Sequence, residues 1–340
     1  MVITIKDVAR KAGVAHTTVS RALRGSTLIS PATTERVRRI ATEMGYQPSA
    51  AASSLKTNRS QALGVIVSAI DDPFFSEILQ GIEEIAQPNG YSLFIAASQR
   101  DLDHERLIVR SMRAHRVDGV ILCSTPFSAE QSKQLRLSEI PLVVINNQSA
   151  EDYRYTIYHD DLDGGRQVTR HLVGLGHRRI AYLGYARSGR TNANRLAGYR
   201  QEMNAAGISI PPGGEFEVEV TDPASGLLAA RYYLSLPTPP SAVFCYNDML
   251  AVGLLRGFHE AGVRVPQDFS VAGFDNITFS AFTNPPLTTF DQPKRFIGAE
   301  AARLVLALLD GDESKEKRPR IRTLQGSLLV RASTAAHKGR

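Results

Sequence analysis

Seven short apolar runs, ALGVIVSAI, SLFIAAS, GVILCS, LVVIN, RIAYLG, AVFCY and FSVAGF, punctuate the chain from residue 62 onward. Nearly continuous apolar runs of this length read as strands covered on both faces. Amphipathic stretches at about 75–87, 103–115, 161–175, 192–206, 223–235, 247–261 and 293–310 read as the helices between them. Strand–helix alternation implies parallel sheets with helices on each side. The units are too many for one compact sheet, so two α/β lobes are expected.

Before residue 62 the chain has another character. Residues 1–60 hold ten Lys and Arg against three Asp and Glu, whereas the other 280 residues hold 30 against 31. The whole positive excess sits in the opening segment, as suits a polyanion partner. That segment reads as three helices. Thr4 is a candidate N-cap for a first helix bearing Ile5, Val8, Ala9 and Ala12 on one face. Gly13 supplies a turn that needs positive φ, and a second helix runs from His16 to Arg24. Ser30 caps a third, with Pro31 at its first position, Val37, Ile40, Ala41 and Met44 inward, and Gly45 as its stop. Small Ala9 permits a close helix crossing. This is the helix-turn-helix plan, whose second helix enters the major groove. His16, Thr17 and Arg21 are the base-reading candidates; Thr18, Ser20, Arg24, Ser30 and Thr33 are candidates for phosphate contact. The competing assignment for each is a solvated helix face, and for Ser30 simple capping.

Other classes find little support. No apolar run approaches the roughly 20 residues that span a bilayer. Lys6, Asp7 and Arg10 interrupt any apolar leader, so a cytoplasmic location is expected. Cys123 and Cys245 lie far apart in apolar runs and read as small buried hydrophobes. The segment GLGHRR precedes a strand instead of following one, so it does not make a dinucleotide turn. The eight histidines are scattered. No enzymatic activity, cofactor or metal is expected.

Residues directly after open parallel strands are where ligands bind. Here they are 71–75, 124–125, 146–147, 184–195, 247–248 and 275–276. Polar side chains with Phe74 and Phe75 as aromatic surfaces suit a sugar, another polyhydroxy compound or a nucleobase derivative.

The chain resembles the lactose-repressor family of bacterial transcriptional regulators. The likeness starts in TIKDVARKAGVAHTTVSRALRG and SPATTERVRRIATEMGYQPSAAASSLKT. It continues through DPFFSEILQGIEEIAQPNGY, GGRQVTRHLVGLGHRRIAYLG, NDMLAVGLLRGFHEAGVRVPQDFSVAGFDN, PPLTTFDQP and LLVRAST. The resemblance implies a helix-turn-helix headpiece over 1–48, a hinge helix over 49–60 and a two-lobed body of type I periplasmic-binding-protein fold over 61–334. Lobe 1 would take about 61–160 and 292–322, and lobe 2 about 161–291 and 323–334. Residues 335–340 would be a tail, and the last eight residues read as disordered. A homodimer would bind a pseudo-palindromic double-stranded operator as a repressor, without a membrane, under control of a sugar-like effector between the lobes. In the hinge, Ala52, Leu55 and Lys56 would touch DNA, with Leu55 wedged into a minor-groove base step. Matching effector positions are Phe74, Asn146, Arg195, Asn247 and Asp275, and less directly Asp72, Ser124, Asp160, Arg190 and Thr221. Asp275 and Asn247 have helix or loop capping as their competing role. For Arg195 it is pairing with a carboxylate of its own lobe. Three departures stand out. Ala15 replaces the usual Ser cap of the recognition helix, Ser53 replaces an Arg before the hinge leucine, and Asn146 replaces Asp. The rival function is a solute-binding protein of the same fold without DNA activity.

The wedge makes a prediction. Leu55→Ala should weaken operator binding and reduce DNA bending in circular-permutation gel shifts, with the melting temperature of the body unchanged. Equal bending would leave Leu55 as a tether residue only.

Overall fold

The computed structural model describes residues 3–46, 59–99, 101–124, 140–149, 153–311 and 321–337. Ala52, Ser53, Leu55 and Lys56 lie outside them. The chain divides into two units, Met1–Gln61 and Ala62–Arg340.

In the first unit the helices are α1 (Ile5–Ala12), α2 (His16–Leu23) and α3 (Pro31–Glu43). Their core is Val8, Ala9, Ala12, Val19, Ala22, Val37, Ile40 and Ala41. Most of these are small side chains, so three short helices can meet closely. The Asp7 carboxylate starts α1: Thr4 N donates to Oδ2 at 3.0 Å and the Thr4 hydroxyl at 2.6 Å. Those Thr4 donors hold the Asp7 carboxyl below its usual range. Gly13 closes α1 at φ 65°, and its N–H reaches the Ala9 and Arg10 carbonyls. Ala15 begins α2 without a side-chain cap, so this end lacks roughly 1 kcal/mol that a Ser would add.

The second unit contains two six-stranded sheets. Sheet 1 has the order β11-β5-β4-β3-β1-β2. Its strands are β1 (Ala62–Val67), β2 (Ser92–Ala97), β3 (Gly119–Cys123), β4 (Leu142–Ile145), β5 (Thr156–His159) and β11 (Ile321–Leu324). Every pair in it is parallel. Sheet 2 has the order β12-β10-β9-β8-β6-β7. It holds β6 (Ile180–Tyr185), β7 (Glu215–Val218), β8 (Ala242–Cys245), β9 (Ser270–Asp275), β10 (Thr288–Asp291) and β12 (Ser327–Leu329). Here β12 runs antiparallel beside β10, and the other pairs are parallel. Apolar clusters cover both faces of each sheet. The covering helices are α4 (Pro73–Ala86), α5 (Leu102–Ala114), α6 (Asp161–Gly174), α7 (Arg190–Ala205), α8 (Pro223–Ser235), α9 (Asp248–Glu260) and α10 (Lys294–Leu309).

Five strands were not legible as apolar runs: β5, β7, β10, β11 and β12. They are three or four residues long, and buried Thr156, His159, Thr288 and Thr289 break the hydrophobic pattern of β5 and β10. The chain leaves sheet 1 after His159, returns to lobe 1 between Asp291 and Lys294, and crosses again between Leu324 and Ser327. The last crossing lies beyond the expected residue 323, because Thr323 and Leu324 pair with Tyr158 and His159.

Of the tail expected to be disordered, residues 333–337 are described, and they are ordered against the body. Ala335 N donates to Ser270 Oγ at 3.1 Å, His337 N to the Leu175 carbonyl at 2.8 Å, and His171 Nε2 meets Thr334 Oγ1 at 2.9 Å. Buried His177 is the anchor, with Nδ1 2.9 Å from Ser241 Oγ and Nε2 3.1 Å from the Ala335 carbonyl. Burial pushes the His177 ring down to about 4. The folded value lies below that of an unfolded histidine. The stability from the neutral ring is therefore complete above about pH 6.5 and is lost as pH falls toward 4. His177→Gln should cost about 2 kcal/mol at pH 7.5, about 1 per lost hydrogen bond. The difference from wild type should shrink at pH 5 in urea unfolding; a constant difference would remove His177 as the anchor.

Candidate nucleic-acid interface and effector cleft

On α2, Val19 and Ala22 face the bundle core. His16, Thr17 and Arg21 are exposed on the other side, with Thr18 and Ser20 half-buried. His16, Ser20 and Arg24 repeat at four-residue spacing, as do Thr17 and Arg21, so these side chains share one helix face. Arg24 folds back on Ser20: Nε donates to the Ser20 carbonyl at 3.0 Å and Nη2 to Oγ at 2.5 Å. Ser30 caps α3, its Oγ accepting from Thr33 N at 3.3 Å and donating to Thr33 Oγ1 at 2.9 Å. The face is a row of hydrogen-bonding groups and cations, and capping occupies Ser30 at least in part.

In the second unit the carboxyl ends of both sheets open on one cavity of about 80 Å³. In each sheet an early strand lies between its two neighbours in sequence, β1 between β2 and β3, and β6 between β7 and β8. Such topological switch points place a crevice beyond the strand ends. Asp72, Phe74, Ser124, Asn146, Arg195, Asn247 and Asp275 line the cavity. Asp160 and Arg190 do not. Asp160 caps α6 through Asp163 N at 3.0 Å and accepts from Gln325 Nε2 at 3.1 Å. Arg190 lies 4.5 Å over the Tyr158 ring and donates to its hydroxyl at 3.0 Å. Thr221 lines a neighbouring outer chamber.

Arg195 is the centre. Only 3% exposed, it donates from Nε to Asp161 Oδ1 at 2.8 Å and from Nη1 to the Tyr246 carbonyl at 2.5 Å. Nη1 also lies 3.6 Å from Asp275 Oδ1. The guanidinium carbon stands 3.7 Å from the Phe274 ring centroid and 4.6 Å from that of Tyr246. Pairing within its own lobe and lining the cavity are therefore both true of it. Its backbone is placed by close packing of α6 on α7. A Cβ on Gly165 would fall 2.4 Å from the Arg195 carbonyl oxygen, and one on Gly198 2.3 Å from that of Leu162.

Burial disfavours charge on both members of the Arg195–Asp161 pair, and their attraction outweighs it. The guanidinium is held protonated more firmly than usual and Asp161 stays below the ordinary carboxylate range. Burial dominates at Asp275 and pushes its carboxyl well up, against Arg195. Gln292 Nε2 donates to Asp275 Oδ1 at 2.5 Å, and Lys294 of α10, in lobe 1, donates to the Asp275 carbonyl at 2.5 Å. Nearby Asp248 is pushed to about 7 by burial while it holds Ile277 N and Thr289 Oγ1.

The two amides are partly committed. Asn146 Oδ1 accepts from His159 N at 3.0 Å, and Asn247 Oδ1 caps α9 through Leu250 N at 3.0 Å. Each keeps an amide donor. Ser124, Asn146 and Asp275 have φ of 52°, 48° and 108°, left-handed values rare for non-glycine residues. Such backbone costs on the order of 1–3 kcal/mol each and clusters at functional sites.

Sequence reasoning missed Gln148 and Tyr246 in the cavity wall. Each lies one residue outside a window drawn at a strand end. Gln148 bridges the lobes. Its Nε2 donates to Thr191 Oγ1 at 2.7 Å, its Oε1 accepts from Thr191 N at 3.1 Å, and its carbonyl meets Arg190 N at 3.4 Å. Gly189 permits this approach at φ 66°, since a Cβ there would lie 2.7 Å from the Gln148 carbonyl oxygen.

A model described as bacterial regulatory proteins, lacI family, matches residues 4–49, and a periplasmic binding protein-like domain matches 169–334. The chain is 37% identical to the HTH-type transcriptional repressor CytR of Escherichia coli (strain K12), over 98% of this chain and 96% of that one. It is 34% identical to the HTH-type transcriptional repressor PurR of Photobacterium profundum, over 97% and 98%. The chain belongs to the lactose-repressor family. It is a DNA-binding transcriptional repressor controlled by a small-molecule effector, not an enzyme, and the solute-binding alternative falls. Among solved structures, the Lac repressor dimer bound to operator and the anti-inducer ONPF superposes with a TM-score of 0.87 at 28% identity. That match covers 99% of this repressor and 100% of that chain. The CelR–cellobiose complex gives 0.73 at 30% identity, over 97% and 99%.

The ion-pair geometry changes what Arg195 substitutions should do. Arg195→Ala leaves the Asp161 carboxylate buried without its cation, a loss of about 3–5 kcal/mol. Urea unfolding of Arg195→Ala should show it, and Asp161→Asn in the same chain should recover part of it. Additive losses from the two changes would mean that the pair is not coupled.

Proposed function

We propose that this repressor acts in the cytoplasm as a homodimer on a pseudo-palindromic operator, with a polar, sugar-like effector held in the inner cavity. The observation that carries the proposal is the concentration of hydrogen-bonding and cationic side chains on the solvent face of α2, whose other face closes the headpiece core. His16, Thr17 and Arg21 read bases; Thr18, Ser20, Arg24, Ser30 and Thr33 contact phosphates; Ala52, Leu55 and Lys56 act in the hinge. The solved relative that is a dimer on its operator supports two-fold recognition. No helix among the described residues is long and apolar enough to cross a membrane.

In the cleft, Phe74 offers a ring face, Asn146 and Asn247 offer amide donors, and Arg195 with Asp275 offers charge-assisted hydrogen bonds. Asp72 and Ser124 complete the wall. Asp160 and Arg190 act as structural groups, on the α6 cap and the Tyr158 contact. A relative complexed with cellobiose and another with bound ribose support a sugar-like effector. The effector acts by its different affinity for two lobe arrangements, and a coupling of about 1–3 kcal/mol suffices for a several-fold to ~100-fold change in operator affinity.

Arg21→Ala should lose about 1–3 kcal/mol of base discrimination while weak, salt-sensitive binding to any duplex remains. Fluorescence anisotropy on operator and scrambled duplexes across salt measures both. An undiminished preference for operator would take Arg21 out of the base-reading set.

A further inference from the structure

Helix α7 starts without a cap of its own. Helices α4, α5, α6, α8 and α9 each begin on an Asp or Asn whose side chain accepts from its own first turn. In α7 that position is Gly189, which has no side chain to do so. The first N–H groups of a helix find no partner within it, and here the other lobe supplies one for each of two. Gln148, just beyond the end of β4 in lobe 1, accepts from Thr191 N through Oε1 at 3.1 Å and from Arg190 N through its carbonyl at 3.4 Å. Its Nε2 donates to Thr191 Oγ1 at 2.7 Å and to the Asn146 carbonyl at 2.8 Å, which fixes the amide in the capping position. A side chain at residue 189 and this contact exclude each other. A Cβ on Gly189 would stand 2.7 Å from the Gln148 carbonyl oxygen and 3.5 Å from the Gln148 Cβ. Arg190 adds a second tie between the lobes, through the ring and hydroxyl of Tyr158 on β5.

We propose that Gln148 is a positioning residue that caps α7 from the opposite lobe, so that this helix end is satisfied in one lobe arrangement only. Moving the lobes apart strips the Thr191 amide of its acceptor, and Gly189 offers no replacement. A lost cap shifts an equilibrium by about fivefold. The borrowed cap therefore biases the ligand-free repressor toward this lobe arrangement and sets its operator affinity through it. The inference rests on the proposed control of operator binding by lobe arrangement. It also assigns a reason to the glycine: a cap carried by α7 itself would hold the helix end equally well in every arrangement and would remove the bias.

Variants of the full-length protein, checked for folding by circular dichroism, test this. Gln148→Ala removes the capping amide. Gly189→Asn supplies a local cap that must displace Gln148. Thr191→Val removes the hydroxyl that orients the amide, and Thr191→Ser keeps it. Three measurements apply to each without ligand: hydrogen exchange of peptides covering residues 186–196, the distance between spin labels placed one on each lobe, and anisotropy on the duplex that the wild-type protein selects from a randomised pool. In Gln148→Ala, exchange at the start of α7 should be at least about fivefold faster, with the later turns unchanged. Gly189→Asn should keep that start protected. The two variants thus have opposite effects on the helix end and the same effect on the lobes. Both should move the labels alike and shift affinity for the selected duplex several-fold in one direction. Thr191→Val should follow them, Thr191→Ser should match wild type, and Gln148→Ala with Thr191→Val should fall short of additivity. A merely local role predicts that label distance and affinity follow the helix end, altered in Gln148→Ala and normal in Gly189→Asn. That pattern, wild-type exchange in Gln148→Ala, or unmoved labels would overturn the inference alone. Labels that move while duplex affinity stays constant would instead sink the control of operator binding by lobe arrangement.

Discussion

The Arg195 guanidinium is the interaction on which the cleft between the lobes depends. It reaches from α7 to Asp161, the first residue of α6 after the crossing from lobe 1, and toward Asp275 at the end of β9. Three chain segments that are distant in sequence are thereby tied to one planar cation between two aromatic rings. A buried charge is tolerated only when paired and hydrogen-bonded, and here acceptors meet the guanidinium edge while ring faces cover its plane. The same side chain lines the cavity and gives it part of its polarity.

A second cation performs the corresponding task from the other lobe. Lys294, fully buried at the start of α10, donates to the Asp275 and Asn276 carbonyls and lies 3.3 Å from Glu77 Oε1. The end of β9 is therefore held by Arg195 through its side chain and by Lys294 through its backbone. Gln148 adds a latch of neutral hydrogen bonds to the start of α7. Neutral bonds are each worth about 1 kcal/mol net, weak enough for an effector of ordinary affinity to shift the balance between lobe arrangements. The ionic centre fixes the cleft, and the amide contact is the weaker of its two ties.

The headpiece is built differently. Its core of small side chains holds three short helices, and the cation-rich surface adds nothing to that core. Where α2 lacks a side-chain cap at Ala15, the bundle contacts of Val19 and Ala22 keep it formed. The body has cores on both faces of each sheet and buries charged pairs at its cleft. This difference matches the two partners: a polyanion met at an exposed surface, and a small molecule met in a cleft.

Much of this was determined by the sequence alone. Continuous apolar strands, helices of regular period, Gly13 and Gly45 as turns, and the basic opening segment identify two α/β lobes and a helix-turn-helix, because these follow from local periodicity and backbone sterics. Windows at the strand ends contained Asp72, Phe74, Ser124, Asn146, Arg195, Asn247 and Asp275, since a parallel sheet places its ligands there, and the family resemblance picked these residues out of the windows. Tertiary structure alone decided the rest. The polar strands β5 and β10 are recruited by their neighbours, whatever their own patterns imply. Residues 334–337 dock because His177, far away in sequence, is buried where it can meet them. Asp160 and Arg190 turn away from the cavity while Gln148 and Tyr246 enter it, since one residue of register or one helical cap redirects a side chain. No local rule states which carboxylate will stand beside Arg195: pairing at 2.8 Å is a property of the packed α6–α7 interface, where Gly165 and Gly198 let two backbones touch.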